Sequence, residues 1–118
     1  MRAVRGATVV AADEAELILD ATQELVQAVL ERNGLVAEDL ISIVFTTTAD
    51  LRAEFPAVAA RRLGMTEVPL LCASEIDKPG ALPRVIRLMM HVETDRPRSA
   101  IRHVYLREAQ SLRDDLPR

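Results

Sequence analysis

LPRVIRLMMHVET, residues 82–94, is the stretch whose reading decides the fold. Leu82, Val85, Ile86, Met89 and Met90 recur at helical spacing, whereas Ile86, Leu88, Met90 and Val92 alternate as a strand does. The periodicity leans slightly to helix, and Pro83 just inside the start does not oppose it. Pattern alone leaves both readings open. On either one, Arg87 stands inside an apolar run.

Outward from this segment the signals are clearer. Residues 2–10 (RAVRGATVV) are valine-rich and alternate roughly as a strand. Asp13 and Glu16 have the spacing of a helix-start box, in which one side chain caps free amides and the other reaches back. Leu17, Ile18, Ala21, Leu25, Ala28 and Val29 then share one helical face, and Gly34 stands where a C-cap belongs. Residues 41–47 (ISIVFTT) are β-branched and aromatic, as in a buried strand. Asp50 can cap a short turn, Pro56 suits the first turn of a helix through Leu63, and Gly64 stops it. Residues 68–72 (VPLLC) and 101–107 (IRHVYLR) read as further strands, and the polar tail from about residue 113 is expected to be mobile. The order predicts an α+β fold, a mixed β-sheet with helices on one side.

The 118 residues make one domain, 1–118, and with 49% apolar residues they can form a core. Phe45, Phe55 and Tyr105 are the only aromatics, so the core is aliphatic and a base-stacking platform is nearly excluded. A net charge of −3 gives no electrostatic reason to bind nucleic acid or an anionic membrane. Among the 15 basic residues only Lys78 is a lysine, and arginine's planar fork suits carboxylates. The single cysteine, Cys72, rules out an intrachain disulfide. There is no leader pattern, and no apolar run nears the roughly 18 residues of a membrane span, so a cytoplasmic protein is expected.

Familiar catalytic kits are missing. No glycine-rich loop leads into a helix with a lysine, so no phosphate cradle is expected. His91 and His103 lack metal-ligand spacing to each other or to Cys72, so no metal is expected. Within the apolar VPLLC run, Cys72 fits an inert core residue better than a nucleophile. Three polar intrusions do stand out: Arg5 in AVRGATVV, Arg87 in VIRLMM and Tyr105 in HVYL. Burying an unpaired guanidinium is prohibitively costly, so each arginine must meet an acid, a ligand or solvent. Singly each could snorkel at a sheet edge. Together they suit a pocket for a small di- or tricarboxylate.

VRGAT (4–8), DLRAEFPA (50–57), VPLLCASEID (68–77), IRLMMHVETD (86–95) and IRHVYL (101–106) resemble, in order, the signatures of monofunctional chorismate mutases of the trimeric AroH class. The resemblance is colinear from near the first residue to about Leu116. It implies a ferredoxin-like or chorismate mutase-like fold, three subunits forming a barrel-like core, and active sites at subunit interfaces. It also implies that residues 82–94 are mainly strand. The implied activity is the cofactor-free rearrangement of chorismate to prephenate, in phenylalanine and tyrosine biosynthesis.

By the same resemblance Arg87 donates to the breaking ether oxygen, while Arg5 and Tyr105 grip the carboxylate end. Glu75 and Cys72 receive the ring hydroxyl, the cysteine largely through its backbone. Phe55, Ala57 and Leu112 line an apolar wall from the neighbouring subunit, and Arg61 and Arg113 stand at the rim. Val58 occupies a position where some relatives are expected to have lysine, which puts the rim assignment in doubt; Leu71 replaces a smaller polar residue. The rival readings are a non-catalytic trimeric module binding a small carboxylate and a ferredoxin-like interaction domain. Arg87 and Glu75 separate these from an enzyme, since an interaction module needs no arginine inside an apolar strand opposite an acid.

Overall fold

In the computed structural model, which describes residues 1–112, residues 82–94 are resolved in favour of a strand. The elements in chain order are β1 (Arg2–Val9), α1 (Ala15–Arg32), β2 (Leu40–Thr47), α2 (Ala57–Arg62), β3 (Leu70–Ser74), β4 (Val85–Val92) and β5 (Val104–Tyr105). Short 3-10 turns cover Ala37–Asp39, Arg98–Ala100 and Arg107–Leu112. The strands form one mixed sheet in the order β3-β2-β4-β1-β5. β4 lies antiparallel to both β1 and β2, while the edge strands β3 and β5 run parallel to β2 and β1. This differs from the β-α-β-β-α-β order of a ferredoxin-like sheet. Here α2 follows β2 directly, so β3 returns parallel to β2 as a crossover connection requires.

Apolar residues at both parities made the periodicity of β4 ambiguous. Ile86, Leu88, Met90 and Val92 are buried, and so is Val85 at the strand's start, while Met89 adds a further apolar side chain that is only partly covered. Ile86, Leu88, Met90 and Val92 nevertheless point to the helix side, and Val85, Arg87, Met89 and His91 to the other.

The main core lies between the sheet and the two helices. Val4, Ile43, Phe45, Leu88, Met90 and Val92 from the strands meet Leu25, Val26 and Val29 of α1 and Ala57 and Ala60 of α2. Gly6 permits α1 to close on β1: a Cβ there would lie 3.1 Å from Leu25 Cδ1 and 3.3 Å from Leu88 Cγ. Gly34 takes the left-handed backbone (φ 61°) that ends α1, as its position predicted.

Asp13 does not cap α1. The helix starts at Ala15 after Glu14, without a side-chain cap, and Asp13 Oδ1 instead accepts the amides of Arg52 and Ala53 at 2.8 and 2.9 Å. The same carboxylate chemistry thus serves a distant loop rather than the local helix. The expected final strand is also shorter than 101–107. It is flanked by 3-10 turns, and the segment before it is fixed by buried Asn33, whose amide bonds both the N–H and the carbonyl of Arg102. Helices α1 and α2 share one face as expected, but the Arg107–Leu112 turn folds onto the opposite face. There Ala109 and Leu112 pack with Ala7, Val9, Val85 and Tyr105. Among the described residues, no helix is long and apolar enough to cross a membrane. The expected tail, with Arg113, lies outside the described residues.

Candidate active site

On the face away from the helices, register brings the polar intrusions together. Ala7 pairs with Tyr105 on one side and Arg87 on the other, Arg87 pairs with Thr46, and Thr46 pairs with Ala73. One row therefore crosses all five strands, because register partners point to the same face. Arg5, paired with Met89, sits diagonally from Arg87, within reach of a long side chain. Glu75 follows Ala73 by two residues, and its amide donates to the Thr47 carbonyl at 2.8 Å, so the sheet ladder carries it to the same face.

Arg87 and Glu75 form an ion pair: Nε lies 3.1 Å from Oε2. The N–H does not point along that contact, so Nε makes no hydrogen bond among the described residues despite its burial. The Arg87 side chain remains 37% exposed, which leaves its fork open to a ligand. Glu75 is better covered and takes a second contact from the Thr46 hydroxyl, at 2.6 Å. Tyr105 is almost wholly buried, and its hydroxyl has no hydrogen-bond partner among the described residues.

The start of β4, and hence the position of Arg87, is clamped by the segment after β2. Thr48 N donates to the Val85 carbonyl at 3.1 Å, and Thr48 Oγ1 accepts from Val85 N at 3.0 Å. Asp50 accepts the amide of Arg84, a residue held at φ 53° in the left-handed region. The turn expected at Asp50 is present, closed by Leu51 N donating to the Thr48 carbonyl at 3.1 Å, and the Asp50 carboxylate also ties the segment to the start of β4.

The remaining expected residues fall in different places. Cys72 pairs with Phe45, and its side chain packs against the main core. The bonds Ile43 N to Pro69 O and Glu75 N to Thr47 O fix the alternation of the ladder, so the Cys72 N–H and carbonyl point to the outer edge of β3. Exposed Phe55 stands beside that edge, in a groove of about 280 Å³ that also includes Cys72 and Ser74. Ala57 is buried in the core of its own chain, so its methyl cannot face a ligand. Arg61 is exposed on α2, away from the Arg87 row. Leu112 packs in the small cluster around Tyr105 of the same chain. Sequence reasoning missed Thr46, hidden in a β-branched run. Its parity with Arg87 becomes readable only when residues 82–94 are a strand.

Fold and site together define an α+β protein whose mixed sheet sets arginines, a carboxylate and a tyrosine on one face. A family model described as chorismate mutase type I matches residues 1–116. Chorismate mutase AroH of Thermus thermophilus is 51% identical over 117 residues, covering 98% of this chain and 96% of that protein. Chorismate mutase AroH of Bacillus subtilis (strain 168) is 44% identical, covering 98% and 92%. Among solved structures, a chorismate mutase from Clostridium thermocellum superposes with a TM-score of 0.93 at 50% identity, covering 94% of this chain and 99% of that one. The chain belongs to the type I chorismate mutase family. It is an enzyme, an isomerase of the class that turns chorismate into prephenate.

Proposed function

We propose that the Arg87 row binds chorismate and promotes its rearrangement by restraint and fixed charge, in a cytoplasmic homotrimer that serves phenylalanine and tyrosine biosynthesis. The observation that carries this reading is the Arg87–Glu75 pair at 3.1 Å on the sheet face away from the helices, in one row with Tyr105, whose hydroxyl has no partner among the described residues.

The reaction is an intramolecular pericyclic rearrangement. The ether carbon–oxygen bond breaks as a carbon–carbon bond forms, and no proton or electron leaves the substrate. Two tasks fall to the protein. Arg5 and Tyr105 hold the carboxylate end, so that the enolpyruvyl arm folds over the ring and the reacting carbons meet. Arg87 presents a permanently charged donor to the ether oxygen, whose negative charge grows as its bond lengthens. Glu75 accepts the ring hydroxyl, and the outward N–H and carbonyl of Cys72 offer it further partners.

Leu71 and Phe55 are exposed large apolar side chains, and a face carrying such residues is suited to meeting another copy of the chain. In this reading exposed Phe55 closes the apolar side of a neighbour's site, with Arg61 and Arg113 at the rim. Ala57 contributes through its backbone at the start of α2, and Leu112 closes the site from the Tyr105 side.

The test is loss of chorismate ultraviolet absorbance with purified protein, alongside mass by light scattering. Conversion by a trimer, undiminished after chelation and dialysis, is the expected result. Full activity in a monomer would overturn the interface site, and no conversion would overturn the assignment of this row.

A further inference from the structure

We propose that Thr46 is a positioning residue for this reaction, acting through Glu75; the inference rests on the reading of the Arg87 row given above. Thr46 stands on β2 between its register partners Arg87 on β4 and Ala73 on β3. Its Oγ1 lies 2.6 Å from Glu75 Oε2, the same oxygen that lies 3.1 Å from Arg87 Nε. An ionised carboxylate only accepts, so the threonine hydroxyl is the donor. Oε2 is thereby engaged twice, and Oε1 is the oxygen turned over to a ligand hydroxyl.

The alternative geometry shows what Thr46 prevents. Carboxylates and guanidinium groups favour a two-pronged pairing, each oxygen opposite one N–H. If Glu75 rotated into that arrangement, it would occupy the part of the Arg87 fork required at the ether oxygen. The Thr46 hydroxyl holds Glu75 by one oxygen, and β-branching restricts the torsion that carries that hydroxyl. The residue thus keeps an acid close to a catalytic cation without letting the acid cover it.

Thr46→Val removes the hydroxyl while keeping the branched shape. Its kcat/KM for chorismate is expected to fall about tenfold, mainly in kcat, the size of one lost charge-assisted hydrogen bond. Thr46→Ser restores the donor and is expected to return to within about threefold of wild type. In a Glu75→Ala background the same Thr46→Val change should cost less than about twofold, because its route to the reaction is already gone. Prephenate affinity by calorimetry reads the same cycle where turnover is too slow. Equal losses in both backgrounds, unaltered kinetics in Thr46→Val, or failure of serine to rescue would each overturn the assignment. A wild type that does not convert chorismate overturns the functional reading and the Thr46 role with it, whereas an active wild type confines any failure to Thr46.

Discussion

Val4, Phe45 and Leu88 face the helices, while Arg5, Thr46 and Arg87, each one residue away on the same strands, face the other way. The first set is sealed into an aliphatic core. The second keeps polar groups beside one another, including an ion pair and a tyrosine hydroxyl without a partner among the described residues. A slip of one residue in β4 would exchange the two sets, burying Arg87 among leucines and exposing Leu88. Such a slip would lose both stability and chemistry, so the aliphatic side enforces the register that the polar side requires. Adjacent positions should therefore respond very differently to truncation.

Phe45→Ala should have the largest effect, since its ring is fully buried against the main core. A loss of about 3–5 kcal/mol is expected in urea unfolding, with turnover per folded molecule little changed. Arg87→Ala should do the reverse. Turnover is expected to fall on the order of 100- to 1,000-fold, while the unfolding midpoint stays near wild type. A large fall in the midpoint together with modest kinetic loss would show that the cation holds the sheet together instead. The smallest effect is expected at Cys72, whose side chain packs at the margin of the core while its backbone faces the edge. Cys72→Ala should leave turnover within about twofold and cost no more than about 1 kcal/mol of stability. A dead but folded Cys72→Ala enzyme would instead give the thiol itself a chemical role.

Legibility in the sequence followed the same division. Helix α1 was readable because half of it meets water: Ile18, Ala21, Leu25 and Val29 are buried, and Glu24, Gln27 and Glu31 are not. β4 was not readable from spacing, because Val85 and Met89 are apolar on the same face as Arg87 and so fill helical positions as well; family resemblance supplied that strand. Asp13 misled for a related reason. A carboxylate near a helix start can cap whichever amides the tertiary fold delivers, and here those belong to residues 52 and 53. The cationic intrusions were visible singly, but their convergence depends on Ala7 lying between Arg87 and Tyr105, and pairing of strands so distant in sequence leaves no local mark. Thr46 shows the same limit, since its partner Glu75 lies on another strand's extension.

The first strand of the chain lies inside the sheet, between β4 and β5, with Arg2 opposite Val92 and Gly6 opposite Val104. During synthesis β1 is made before β4 and β5, and apart from α1 packed on one face it has no strand beside it until residues 85–105 follow. Until then β1 and β2 have no common partner, Arg5 has no Arg87 beside it, and the apolar side of α1 lacks most of its cover. Folding is therefore dominated by distant pairings and is expected in milliseconds to seconds rather than microseconds. Before β4 is made, neither the five-stranded sheet nor the row through Arg87 exists, because the strand that joins the two halves of the sheet also carries that arginine.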